Sequence, residues 1–298
     1  MLSVQDELVP SPLLVFLVLT ALIAFAANSV LCRLALDAYG TDPASFSILR
    51  LLSGAITLFV LVSVSNRRLV LPIHGGEWRA SIFLAVYVLG FSFAYITLDA
   101  GMGALILFSI VQLTMMAVAL YEGERLSLLE TVGWLMAVMG VLILTVPGIS
   151  APSPVGLLLM AIAGVGWAGY TLRGRSTQKP LDITSSNFFY AFLISIVPCW
   201  FFIDLESLSW QGVVLAVASG AIASGVGYAI WYAVLPYITT VRAALVQLSV
   251  PVIAAIGGII FIGEAVSVRF MLSCLFVLGG IALAISFKQR CNDLKNTG

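Results

Sequence analysis

Charge is what this sequence has least of. Of its 298 residues, 14 are Lys or Arg, 14 are Asp or Glu and one is His, so that 9% are charged against 61% hydrophobic. A typical soluble domain carries about 25% charged residues. With so little polar material, a water-facing surface of this size would expose apolar patches well above the few hundred Å² that soluble monomers show. The chain is therefore read as an integral membrane protein, with the lipid bilayer as its main surrounding.

Other absences narrow the function. The 14 bases are matched by 14 acids, which excludes nucleic acid as a partner, because phosphate binding needs a basic face. The four cysteines, Cys32, Cys199, Cys274 and Cys291, are far apart. They imply neither a disulfide framework nor a metal site, and the first three lie in apolar segments where they pack as small hydrophobes. The single His74 sits in a loop and no Walker sequence occurs, so no metal, no cofactor and no direct use of ATP is expected. The opening "MLSVQDELVPSP" has two acids and no base, unlike the start of a signal peptide, so the first apolar stretch is expected to remain as a helix.

What the sequence does have is apolar length. A bilayer core about 30 Å thick takes about 20 residues of helix, and ten such segments can be drawn, at 12–35, 43–64, 78–97, 101–120, 127–147, 154–173, 183–203, 210–235, 238–261 and 267–287. Turn-forming stretches such as "DAYGTDP" and "PGISAPSP" separate them. With ten spans both termini share one side, and that side holds Arg67, Arg68, Arg79, Arg125, Arg173, Arg175, Lys179, Arg242, Lys288, Arg290 and Lys295, against Arg33 and Arg269 opposite. Short cytoplasmic loops collect Lys and Arg, so both termini are predicted to lie in the cytoplasm, with the protein in the cytoplasmic (inner) membrane.

The chain also repeats itself. A shift of 140 residues matches Ala104 with Ala244, Leu105 with Leu245, Ser109 with Ser249, Gly123 with Gly263, Glu124 with Glu264, Ser127 with Ser267 and Gly140 with Gly280. The weight rests on the paired turns "YEGERLS" and "FIGEAVS", each a Gly-Glu followed by Ser at a boundary between spans. Glycine there suits a helix C-terminus and serine caps the next helix. The predicted architecture is all-α, ten transmembrane helices in two five-helix halves, residues 1–149 and 150–298. Five is odd, so the second half enters from the opposite face. Such inverted repeats underlie alternating access in secondary transporters, with substrate near the midplane between the halves.

"RAALVQLSVPVIAAIGGIIFIGEAVS" (242–267) with "GGIALAI" (279–285), their partners "ALILFSIVQLTMMAVALYEGERLS" (104–127) with "GVLIL" (140–144), and "PASFSILRLLSGAITLF" (43–59) together resemble the two halves of the drug/metabolite transporter superfamily, in its ten-helix EamA-type branch. The resemblance covers nearly the whole chain. It implies a transporter, and its likeness to amino-acid and metabolite exporters implies an outward-moved solute of amino-acid size. The family often has an acid just before the proline of the ninth span, where this chain has Val250 before Pro251.

Candidate substrate-binding residues are the polar and aromatic ones inside spans. Arg50, about 10 Å along its helix, is the one clearly intramembrane charge, and must face protein or water and find a partner. It either contacts an anionic group such as a substrate carboxylate or is tied to backbone carbonyls. Trp167 and Tyr170 share a face of span six, as Tyr228, Trp231 and Tyr232 share one of span eight. With Tyr95 and Tyr190 they form either the wall of a cavity or part of the interfacial aromatic belt. The amides Asn28, Gln112 and Gln247 suit helix-to-helix bonds as well as substrate contact. Pro251 cannot donate to the carbonyl of Gln247, which predicts a kink in span nine. "GVGWAG" (164–169) spells a dinucleotide fingerprint, but inside a span its glycines read as close-packing positions.

No acid falls at mid-membrane, so facilitated diffusion or exchange is as compatible with the sequence as proton coupling. An intramembrane enzyme acting on a lipid-linked substrate would want clustered His, Asp or Glu, whereas here these are dispersed; a passive channel is the third reading. The expected partners are thus a small-molecule substrate and the bilayer, and a monomer is compatible with everything above.

Overall fold

A computed structural model of the chain describes residues 12–296 except 74, 124–126, 146–151, 175–178, 239–242 and 244–245. His74, Glu124, Arg125, Arg175, Arg242, Ala244 and Leu245, all used in the sequence reading, lie outside the described residues. Within them every regular element is helical. In hydrocarbon only a helix or a closed barrel satisfies the backbone, and the apolar lengths here fit helices.

The helices are α1 (Pro12–Asp37), α2 (Pro43–Ser65), α3 (Trp78–Ala94), α4 (Ala100–Tyr121), α5 (Leu128–Thr145), α6 (Pro154–Gly174), α7 (Pro180–Trp200), α8 (Trp210–Tyr237), α9 (Val250–Ile262) and α10 (Val268–Asn296). Seven are by themselves long and apolar enough to cross a membrane, and α3, α5 and α9 are shorter apolar helices. The protein is a multi-pass membrane protein. Proline opens α1, α2, α6 and α7, where its missing N–H would be unpaired in any case. For α7 this puts the start at Pro180, three residues before the expected position. α3 stops at Ala94 instead of 97, because Tyr95–Thr97 already turn and the Tyr95 hydroxyl donates to the Ala100 carbonyl at 3.1 Å.

At the two Gly-Glu turns the described glycines and serines take the expected places at helix ends. Gly123 and Gly263 follow α4 and α9 with φ of +90° and +81°, a left-handed conformation that glycine alone adopts freely. Ser127 Oγ accepts from the Glu130 amide at 3.3 Å while Glu130 Oε2 accepts from the Ser127 amide at 2.7 Å, a reciprocal cap. Ser267 Oγ accepts from the Phe270 amide at 3.1 Å. The expected kink of span nine is a break: Leu248 and Ser249 form a turn and α9 restarts at Val250, with Pro251 in its first turn.

One element was not expected. The middle of α8, Ala218–Val226, is a nine-residue π-helix. It packs on α2 so closely that a Cβ at Gly220 would collide with the Ser53 hydroxyl and the Arg50 carbonyl. Around it, α1 packs on α8 and α9, α2 on α7 and α8, α3 on α6 and α7, α4 on α6 and α9, and α5 on α10. The α5–α10 pair meets the rest chiefly through α4.

Candidate substrate site

The site is built where α1, α2, α3, α6, α7 and α8 converge. On α3 and at its C-terminal cap, Tyr87, Phe91 and Tyr95 are spaced by four and so stack along one face. Tyr87 and Phe91 rings are 5.5 Å apart, Phe91 and Tyr95 4.7 Å. Across from them α6 places Trp167 at 4.9 Å from Tyr87 and 5.5 Å from Tyr170. Trp167 in turn lies 5.6 Å from Tyr228 of α8, the planes only 24° apart. Phe25 of α1 contacts both Tyr228 and Trp231, and Phe188 of α7 contacts Tyr228. Tyr228 and Trp231 are buried, so these two are interior side chains, whereas Trp210 and Tyr237 at the ends of α8 are exposed.

Against this wall α2 places Arg50, 1% exposed. Its Nη2 donates to the Tyr87 hydroxyl at 3.1 Å, and the guanidinium carbon stands 4.8 Å from the Phe91 centroid and 5.4 Å from that of Tyr87. Nε and Nη1 have no hydrogen-bond partner among the described residues, and the ion pairs formed among those residues involve Arg33 and Arg173, not Arg50. The alternative of backbone carbonyls as its partners is therefore not what holds it. A charge at mid-membrane costs from about 3 kcal/mol upward, and a desolvated ring contact returns about 2 kcal/mol. Whatever the rings return, one hydroxyl meets only one of the guanidinium's donors, and Nε and Nη1 are left without a partner among the described residues.

The remaining sequence candidates fall in three groups. Asn28 is buried on α1 and its Oδ1 accepts from Ser219 at 2.8 Å and Ser224 at 3.2 Å, so it ties α1 to the π-helix. Tyr170 donates to Thr184 Oγ1 at 3.3 Å, and Thr184 donates at 3.3 Å to Tyr232, linking α6, α7 and α8. Tyr190 donates at 2.9 Å to the carbonyl of Ile73 and anchors the α2–α3 loop away from the aromatic wall. Gln112 on α4 and Gln247 before the α9 break are half-buried. "GVGWAG" is a packing stretch: a Cβ at Gly164 would press on Ile110 of α4, and one at Gly166 on the Phe83 carbonyl of α3.

Sequence reasoning passed over Tyr87 and Phe91, although their spacing with Tyr95 was available, and over Ser219 and Ser224. It also left unassigned a polar cluster at the end of the molecule where α3 meets α4. There Glu264 accepts from the Ala100 amide with both oxygens, at 2.9 and 3.0 Å, and lies 3.7 Å from Arg33. Arg33 also pairs with Asp37 at 3.0 Å and donates to the carbonyls of Tyr95 and Ile96. Burial pushes the Glu264 carboxyl above its usual range, against the lowering effect of the Ala100 amide. The negative carboxylate sits at the positive end of α4, and so joins the second Gly-Glu turn to the first half of the chain.

The description of the EamA-like transporter family matches residues 154–286. A protein of Pseudomonas aeruginosa with no assigned function is 45% identical over 270 residues, 91% of this chain and 93% of that one. Two proteins described as uncharacterized transporters are more distant. One from Archaeoglobus fulgidus is 23% identical over 78% of this chain and 84% of its own, and one from Bacillus subtilis is 21% identical over 83% and 89%. A crystal structure 19% identical in sequence superposes on 89% of this chain and 96% of its own with a TM-score of 0.63, which is a likeness of fold.

Proposed function

Since this chain belongs to the EamA-like transporter family, we propose that it is a secondary transporter that moves a small organic solute of amino-acid size out across the cytoplasmic membrane by alternating access. The observation that carries this reading is the convergence of Trp167, Tyr170 and Tyr228 from one half with Arg50 and Tyr87 from the other. Buried Tyr and Trp offer apolar area with a hydrogen-bonding tip, which suits an organic solute. In this proposal Asn28, Tyr95 and Tyr190, with partners inside the protein, position the helices around the solute, and Gln112 on α4 and Gln247, just ahead of α9, flank it.

The inverted repeat is part of the proposal. Adding five to each helix number, and counting past ten back to one, turns the packing set into itself: α1 on α8 becomes α6 on α3, α1 on α9 becomes α6 on α4, and α2 on α8 becomes α7 on α3. That correspondence supports two equivalent halves. The bias of Lys and Arg supports cytoplasmic termini. Exchange or facilitated diffusion is preferred over proton coupling because the wall described above is formed by aromatic, hydroxyl and guanidinium groups.

Purified protein in liposomes loaded with unlabelled amino acids should take up the radiolabelled solute by counterflow, with a metabolite panel as competitors. Absence of counterflow for every solute in the panel would reject the transporter reading as stated. Substrate-dependent proton flux would reject the preferred energetics.

A further inference from the structure

The guanidinium of Arg50 has five N–H donors, of which one meets Tyr87. Nη2 has two protons, one facing the Nε edge of the fork and one facing the Nη1 edge. Whichever of them Tyr87 accepts, the other edge keeps both of its parallel donors, the geometry that matches a carboxylate or phosphate. Nε and Nη1 are buried and unpartnered among the described residues. Tyr87 touches both the guanidinium and Trp167, so Arg50 and the aromatic wall meet at one shared side chain.

We infer that Arg50 recognises a carboxylate on the transported solute, and that the solute is an anion or zwitterion whose apolar body lies against Trp167 and Tyr228. This inference rests on the aromatic cluster being the substrate site. A carboxylate is favoured over a phosphate because one guanidinium neutralises a single negative charge, and no second cation approaches Arg50 among the ion pairs, ring contacts and hydrogen bonds described. The rings of Tyr87 and Phe91 hold the guanidinium plane in place before the solute arrives, so little order is lost on binding. Loss of the compensating anion when the solute leaves is tolerated because the rings continue to contact the charge.

Four probes with one phenylpropyl skeleton separate the two charged groups of an amino acid: L-phenylalanine, 3-phenylpropionate, L-phenylalaninamide and 3-phenylpropionamide. Binding is read as a thermal shift of detergent-solubilised protein, and transport as counterflow in liposomes, for the wild type and for Arg50→Lys and Arg50→Met. Both carboxylates should stabilise the wild type, and neither amide should. Their apparent affinity should fall by about tenfold or more in Arg50→Met and less in Arg50→Lys, which keeps the charge without the fork. Amides that bind as well as their acids overturn the inference, as do carboxylates that bind Arg50→Met as well as wild type, or carboxylates that bind neither protein. Counterflow of the amides alone would sink the inference and leave the transporter reading standing. Carboxylate binding without any counterflow would do the reverse. Should Arg50→Met fail to fold, the comparison of acids with amides on the wild type still decides.

Discussion

Tyr87 acts twice on Arg50, with its hydroxyl and with its ring. Tyr87→Phe keeps the ring and removes the acceptor, so its expected effect is loss of a hydrogen bond to a buried charge, about 1.5–3 kcal/mol, read as a lower midpoint in thermal unfolding of the solubilised protein. An unchanged midpoint would mean that Nη2 finds another acceptor. Glu264 is the residue whose ionisation the fold disfavours. Its raised folded pKa means that the native state binds more protons than the unfolded state between the ordinary value of 4.5 and the folded one. Stability linked to this group therefore increases as pH falls through the folded pKa and diminishes as pH rises through it. Arg33 and Asp37 from α1 and Asp99 from the α3–α4 turn face the same carboxyl. Glu264→Gln should flatten the thermal midpoint across that window, and a wild-type profile that the substitution leaves unaltered would remove Glu264 as the source. At this scale the sequence was only partly legible. Arg50, Trp167 and Tyr228 stood out because polarity or aromatic area is rare in a span, whereas Tyr87 did not, since a lone tyrosine gains meaning only when another helix brings it a charge.

Helix boundaries could be read closely because prolines, cap serines and turn glycines act locally. The starts of α2, α6 and α8 at Pro43, Pro154 and Trp210 coincide with the expected ones, and Asp42 caps α2 through the Ser45 amide at 2.7 Å. The π-helix in α8 was not legible, because its glycines and alanines are equally compatible with an α-helix and the wider backbone is set by contact with α2. π segments occur frequently at functional sites, and this one borders Arg50. Substituting Gly220 by Ala should destabilise the protein by about 1–3 kcal/mol through overpacking, since the new methyl meets Ser53 and the Arg50 carbonyl. Gly279→Ala is the control within another span, where a Cβ has nothing within 4 Å, and should be near neutral. Equal effects of the two in thermal unfolding would contradict the close approach of α8 to α2.

At the scale of the molecule, the end that carries the α1–α2 and α7–α8 loops is closed by contacts between them. The Asp42 amide and carboxylate meet Ser207 at 3.3 Å, and Ser209 donates to the Tyr39 carbonyl at 3.3 Å. If the protein works by the alternating access proposed above, these contacts must part. Asp42→Cys with Ser207→Cys, oxidised to a cross-link, should abolish counterflow and reduction should restore it; full activity of the cross-linked protein would show that this end need not open. A reporter fused at Gly298 should be found in the cytoplasm, and the opposite result would reject the ten-span orientation. The proposed repeat has its sequence support at the turns, where charge and glycine break the apolar monotony. Between them, leucine, alanine and glycine match by chance, and the further support for two equivalent halves comes from which helices touch.

The pairing of α5 with α10 sets an order of events during synthesis. Their contact runs through Gly133 and Gly280, whose Cα faces are pressed against each other's carbonyls, and α5 has little other protein to lean on. The ribosome delivers α5 long before α10, so the glycine face of α5 must wait in lipid while five further helices are made. Arrest of translation before residue 268 should leave a chain with one orphaned span, open to membrane quality-control proteases however well the site itself has formed.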